Sequence, residues 1–127
     1  MTSKHINPQS PLSVVMVRPH HFNVNIETAH DNKFQNKNVN SDAVAFSKRA
    51  YDEFNQAVNL LENSGITVHL FDDDSFHTPD SVFPNNWFSS HPDGSVALYP
   101  MYAPNRRKER RSDIMEMLKH EYCTSQI

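Results

Sequence analysis

The hydrophobic period changes twice between Leu12 and Phe71, and that change predicts a strand, a helix and a second strand in this order. Residues 12–17 form a compact apolar run containing Val14, Val15 and Val17, suited to a buried strand that Pro19 closes. From Ala43 the spacing lengthens: Ala43, Phe46, Ala50, Phe54, Ala57 or Val58, and Leu61 fall on one face of a helix. Asn40 or Ser41 is placed to cap its first amides, Asp42 complements its dipole, and Gly65 permits the left-handed turn that ends it. Residues 66–71, ITVHLF, then return as a strand beside the first. Strand, helix and strand imply an α/β fold with the helix crossing over a sheet.

The rest of the chain is read around that unit. Residues 1–12 are a polar, flexible lead-in, and residues 20–40 are asparagine-rich without a helical stripe or a strand face. A loop of that length in a compact domain is uncommon unless it lines a site. Asp72, Asp73 and Asp74 mark the carboxyl end of the second strand, either as a solvated turn or as a bias of a cleft toward cations. Two short strands are expected near residues 87–90 and 95–99, joined through Pro92, Asp93 and Gly94. Asn105 is expected to cap a second helix whose inner face holds Ile114, Leu118 and the stem of Arg111.

Several function classes lose support from composition. The net charge of −3 gives no general attraction to nucleic acid or an anionic membrane, and the basic run 105–111, NRRKERR, lacks interleaved aromatic residues. No apolar run is long enough for a membrane span, and residues 1–11 are polar rather than signal-like, which points to the cytoplasm. Cys123 is the single cysteine, lies after the second helix, and has no base placed beside it. His20, His21, His69, His77 and His91 lack the compact spacing of a metal site, so no metal is expected.

Residues 83–95, FPNNWFSSHPDGS, concentrate polar groups beside a large aromatic residue. Asn85 and Asn86 each offer a carbonyl acceptor and an amide donor, matching the N–H and C=O groups of a ureido compound. A guanidinium would need a carboxylate, which Asp80 can provide. Arg106 or Arg107 has the fork geometry to clamp a small carboxylate, and each can equally be the wet face of a helix.

These segments resemble the arginine deiminase-related branch of the amidinotransferase, or pentein, superfamily, particularly its citrulline-utilisation hydrolases. The resemblance runs through MVRPHHFNVNIETAHDNKFQ, the helix and strand near Gly65, and TPDSVFPNNWFSSHPDGSVALYPMYAPNRRKERR, and covers most of residues 14–111. It implies a partial pentein α/β propeller of early modules only, with residues 13–127 an incomplete N-terminal part of the domain. A sheet layer with two helices leaves an apolar face or strand edge uncovered, open to further polypeptide or to self-association.

By the same resemblance, Asp80 matches a substrate-binding aspartate of the dimethylarginine dimethylaminohydrolases, and Arg106 an arginine that holds the substrate. Asn85 and Asn86 stand where those enzymes carry a glutamate and an aspartate that recognise the guanidinium. Exchanging both carboxylates for amides favours a neutral, citrulline-like head. The implied parent is a cofactor-free hydrolase of citrulline or a related ureido or guanidino amino acid. Its reaction uses a cysteine and a histidine from later modules, so the chain alone is expected to be inactive. The alternatives are arginine deimination or amidino transfer, and a noncatalytic pentein-derived chain that binds a partner.

Overall fold

The computed structural model describes residues 11–23, 25, 43–122 and 127. Strand β1, Ser13–Pro19, and strand β2, Thr67–Asp73, pair in parallel, in register from Ser13 against Thr67 to Pro19 against Asp73. Helix α1, Ala43–Asn63, connects them and packs on both. Its apolar stripe follows the expected spacing: Phe54 and Val58 are buried, Phe46, Ala50, Ala57 and Leu61 half-buried, and Ala43 exposed. The helix closes with Gly65 at φ 86°, where Gly65 N donates to Glu62 O at 3.0 Å and Ile66 N to Leu61 O at 3.0 Å. The cap expected from Asn40 or Ser41, and Asp42 expected to complement the dipole, lie outside the described residues.

After β2 a turn leads to a 3₁₀ turn at Pro84–Asn86 and an antiparallel pair, β3, Phe88–Ser90, and β4, Val96–Leu98. The connection runs through Pro92 and Asp93 to Gly94 at φ 85°, with His91 N donating to Ser95 O at 2.9 Å. The single second helix expected from the sequence is instead two: α2, Pro104–Arg107, and α3, Ser112–Tyr122. Asn105 does not cap. Ala103 holds the N-cap position with Pro104 behind it, and the Asn105 amide is drawn to Asn25. Ile114 and Leu118 do face inward, and Arg111 Nη1 donates to Asp72 O at 2.6 Å with its guanidinium over the Phe71 ring.

Val17, Trp87, Phe88, Val96, Ile114 and Leu118 form one buried cluster, so β1, the β3–β4 pair and α3 share a core. The architecture is α/β as expected, and the described strands make two separate two-stranded sheets rather than a closed one. Of the expected lead-in, Pro11 and Leu12 are exposed, and residues 1–10 lie outside the described residues. Among the described residues no helix is long and apolar enough to cross a membrane.

Candidate functional site

The route from β2 to the site is set by Asp73. Its carboxylate accepts from Thr78 Oγ1 at 2.6 Å, from Ser75 N at 3.0 Å and from Ser81 Oγ, folding residues 73–81 into a tight turn that delivers Asp80. Burial alone would raise the Asp73 pKa, but the bonds from Ser81, Thr78 and Ser75 outweigh it and leave the carboxyl below the ordinary aspartate range. Asp72 is also structural: Arg18 donates to it through Nε at 2.6 Å and Nη2 at 3.1 Å, and His20 Nε2 lies 2.8 Å away. Asp72 and Asp74 are exposed and Asp73 is half-buried. All three line a polar cleft of about 440 Å³ with His77, Lys108 and Glu109.

Asp80 is 6% exposed. Its Oδ2 accepts from Asn25 Nδ2 at 2.8 Å and lies 3.9 Å from Arg106 Nε. Asn25 and Asn105 exchange amide bonds, Nδ2 of Asn25 to Oδ1 of Asn105 at 3.1 Å and Nδ2 of Asn105 to Oδ1 of Asn25 at 2.8 Å. Asn25, from the stretch after β1, therefore joins Asp80 to Asn105.

Arg106 sits in α2, directly after Asn105. Its Nε donates to Glu109 Oε2 at 2.9 Å and its Nη2 to Glu109 Oε1 at 3.0 Å, so the fork expected to clamp a carboxylate holds one from its own chain. The outer Nη1 donates to Asn86 Oδ1 at 3.0 Å, and Nη2 reaches Asp80 O at 3.4 Å. Burial pushes the Glu109 carboxyl above its ordinary range, with Arg106 opposing and Asp80 and Asp73 adding to the rise. The neighbouring arginines are also turned onto the chain: Arg107 donates to Met101 O and Tyr102 O at 2.8 Å, and Arg111 to Asp113.

The four candidate residues therefore divide. Asp80, Asn86 and Arg106 are brought together, whereas Asn85 turns away and lines an open groove of about 760 Å³ between β1 and the β3–β4 pair. Successive residues of a 3₁₀ turn point about 120° apart, which separates the two asparagines. Three further residues belong to the network without having been singled out for it: Asn25, Asn105 and Glu109. Glu109 had a readable signal in its place three residues after Arg106, whereas nothing marks Asn25 among the other asparagines of its loop.

Electrostatically, two carboxylates, Asp80 and Glu109, face one guanidinium. Among the described residues the buried Asp80 carboxylate has Asn25 as its hydrogen-bond donor and Arg106 3.9 Å away, an arrangement suited to accepting N–H bonds from a positively charged or strongly polarised group. Among the described residues no group of three or more His, Cys, Asp or Glu is arranged to hold a metal ion. Cys123 lies outside the described residues.

No curated relative and no solved structure matches the chain. A family model described as N,N dimethylarginine dimethylhydrolase, eukaryotic, matches residues 18–127, which include every residue of the network above. The chain belongs to this eukaryotic N,N dimethylarginine dimethylhydrolase family.

Proposed function

We propose that the protein serves the hydrolysis of a non-peptide C–N bond in a small guanidino amino acid, with Asp80 receiving the N–H groups of the guanidinium. The observation that carries this reading is the buried Asp80 carboxylate, whose near neighbours are the neutral amide of Asn25 and an arginine already engaged by Glu109. Membership of a family named for hydrolysis of dimethylarginine supports the reaction class. In this reading β1, α1 and β2 make one strand-and-helix module of a pentein propeller, Arg106 and Asn86 frame the ligand, and Asn85, which lines the separate groove, does not contact it.

Binding and bond breaking are assigned to different residues. The thiolate that attacks the central guanidino carbon, and the histidine that manages its protons, lie beyond the described residues in this reading. Three of the described histidines are engaged elsewhere: His20 with Asp72, His69 with Tyr122, His91 with Ser89. The 127-residue chain by itself is expected to bind and not to turn over.

A second reading, hydrolysis of citrulline, is favoured by Asn86. Its carboxamide replaces a charge with a donor and an acceptor, which suits a neutral ureido head. Calorimetric titration of the chain with arginine, Nω,Nω-dimethylarginine and citrulline separates the two. The first reading expects the cationic ligands to bind more tightly, and Asp80→Asn to weaken them by roughly ten-fold or more. Tighter citrulline binding that survives Asp80→Asn would establish the second, and binding of none of the three would remove both. Release of dimethylamine and citrulline from dimethylarginine by the chain alone would overturn the division of labour.

A further inference from the structure

The binding reading leaves open how a buried carboxylate is kept in one orientation, since Arg106 stands 3.9 Å from Asp80 and spends its fork on Glu109. Asn25 is 1% exposed, and its Nδ2 serves two acceptors, Asp80 Oδ2 at 2.8 Å and Asn105 Oδ1 at 3.1 Å. Its Oδ1 takes the return bond from Asn105 Nδ2 at 2.8 Å. The two carboxamides thus close a ring of two hydrogen bonds between partners 80 residues apart. Rotating the Asn25 amide by half a turn would set its oxygen against the Asp80 carboxylate and its NH₂ against that of Asn105, so the network admits one orientation.

We infer that Asn25 is a positioning residue for ligand binding: the Asn25–Asn105 ring aims one Nδ2 proton at Asp80 Oδ2, holding that carboxylate in the rotamer that meets the guanidino N–H groups. This role rests on the guanidino-binding reading of Asp80 and extends it to two residues that do not themselves touch the ligand. It explains why a neutral donor stands at this point. A lysine or arginine there would cancel the charge that attracts the ligand, and an apolar side chain would leave the carboxylate free to swing and short of a donor. Because Asn105 immediately precedes Arg106, the same ring also ties Asp80 to the helix that carries the arginine.

The test is a double-mutant cycle read by NMR titration of the 127-residue chain with Nω,Nω-dimethylarginine, a method that reaches millimolar dissociation constants and so keeps weakened variants measurable. Asn25→Ala is expected to weaken binding roughly ten-fold in the wild-type background and to change it less than two-fold in the Asp80→Asn background, because its effect runs through Asp80. Equal losses in both backgrounds would show a merely structural role and overturn the inference, as would an Asn25→Ala chain that binds as the wild type does. Asn105→Ala, which opens the ring while leaving the Asn25 bond to Asp80, is expected to cost a few-fold with the same dependence on Asp80. It takes the place of Asn25→Ala if that variant loses its dispersed amide spectrum. A wild-type chain that binds no dimethylarginine would overturn the guanidino-binding reading together with this role. Binding that ignores both asparagines would overturn the role alone.

Discussion

Arg106 presents one edge of its guanidinium to Glu109, Nε to Oε2 at 2.9 Å and Nη2 to Oε1 at 3.0 Å, across a gap of three residues that includes the end of a helix. The Glu109 side chain has no solvent exposure and that of Arg106 14%, so the pair is held inside the protein. Breaking such a pair from one side leaves a charge buried without its partner.

Glu109→Ala is therefore expected to cost about 3–5 kcal/mol, measured as a fall in the urea midpoint at neutral pH. Glu109→Gln keeps the shape and one acceptor and is expected to cost less. The pH dependence has a defined sign. Because burial raises the folded-state pKa of Glu109, the folded chain holds this proton after the unfolded chain, near pH 4.3, has begun to release it. Stability from this group falls as pH rises from about 4.3 through the raised value. That slope should disappear in Glu109→Gln.

Asp73 gives the opposite slope. Its folded-state pKa lies below the usual value of about 3.9, so its contribution is present above that pH and is lost as pH falls through the lowered value. Asp73→Asn is expected to flatten the acid limb of a stability-versus-pH curve and to cost about 1–3 kcal/mol near neutrality, since Thr78, Ser81 and Ser75 lose an ionised acceptor.

Trp87 is the single tryptophan, is 1% exposed, and follows directly on Asn86. The native chain should emit at short wavelength and shift to the red on unfolding in urea, which gives a reporter for every variant above. Trp87→Ala is expected to cost about 3–5 kcal/mol, since its ring packs against Phe88 within the core shared by β1, β4 and α3. An emission already red-shifted in the absence of denaturant would contradict this burial.

Gly65 tests the helix end. A Cβ at this position would meet nothing within 4 Å, so any penalty for Gly65→Ala comes from the backbone at φ +86° rather than from collision. About 1–2 kcal/mol of destabilisation is expected by thermal or urea melts, with the ligand preferences of the chain unchanged.

Much of this arrangement was legible in the sequence wherever its cause is local. The period of Phe46, Ala50, Phe54 and Leu61, the valines of β1 and the Pro92–Asp93–Gly94 turn each act over a few residues, and each appears where expected. Asn105 shows where such reasoning stops. A capping asparagine and an asparagine that pairs with a partner 80 residues away look identical until the chain has folded, and here the distant partner prevailed. Asn85 and Asn86 make the same point over one residue, because identical side chains on a 3₁₀ turn are sent to different sides. The break between α2 and α3 was hidden because Ile114 and Leu118 continue a helical spacing from Arg111, while the interruption serves Glu109, whose carboxylate turns back to Arg106.

The four-residue α2 has a consequence for how this protein can vary. Asn105 holds one arm of the network and Arg106 the other, so the angle between them is that of adjacent helical residues, about 100°. Inserting or deleting one residue in this stretch would swing one arm out of reach while leaving composition and charge almost untouched. Length is therefore under tighter constraint in α2 than side-chain identity is on its exposed side, and a relative with a gap there would need another way to hold its aspartate and arginine.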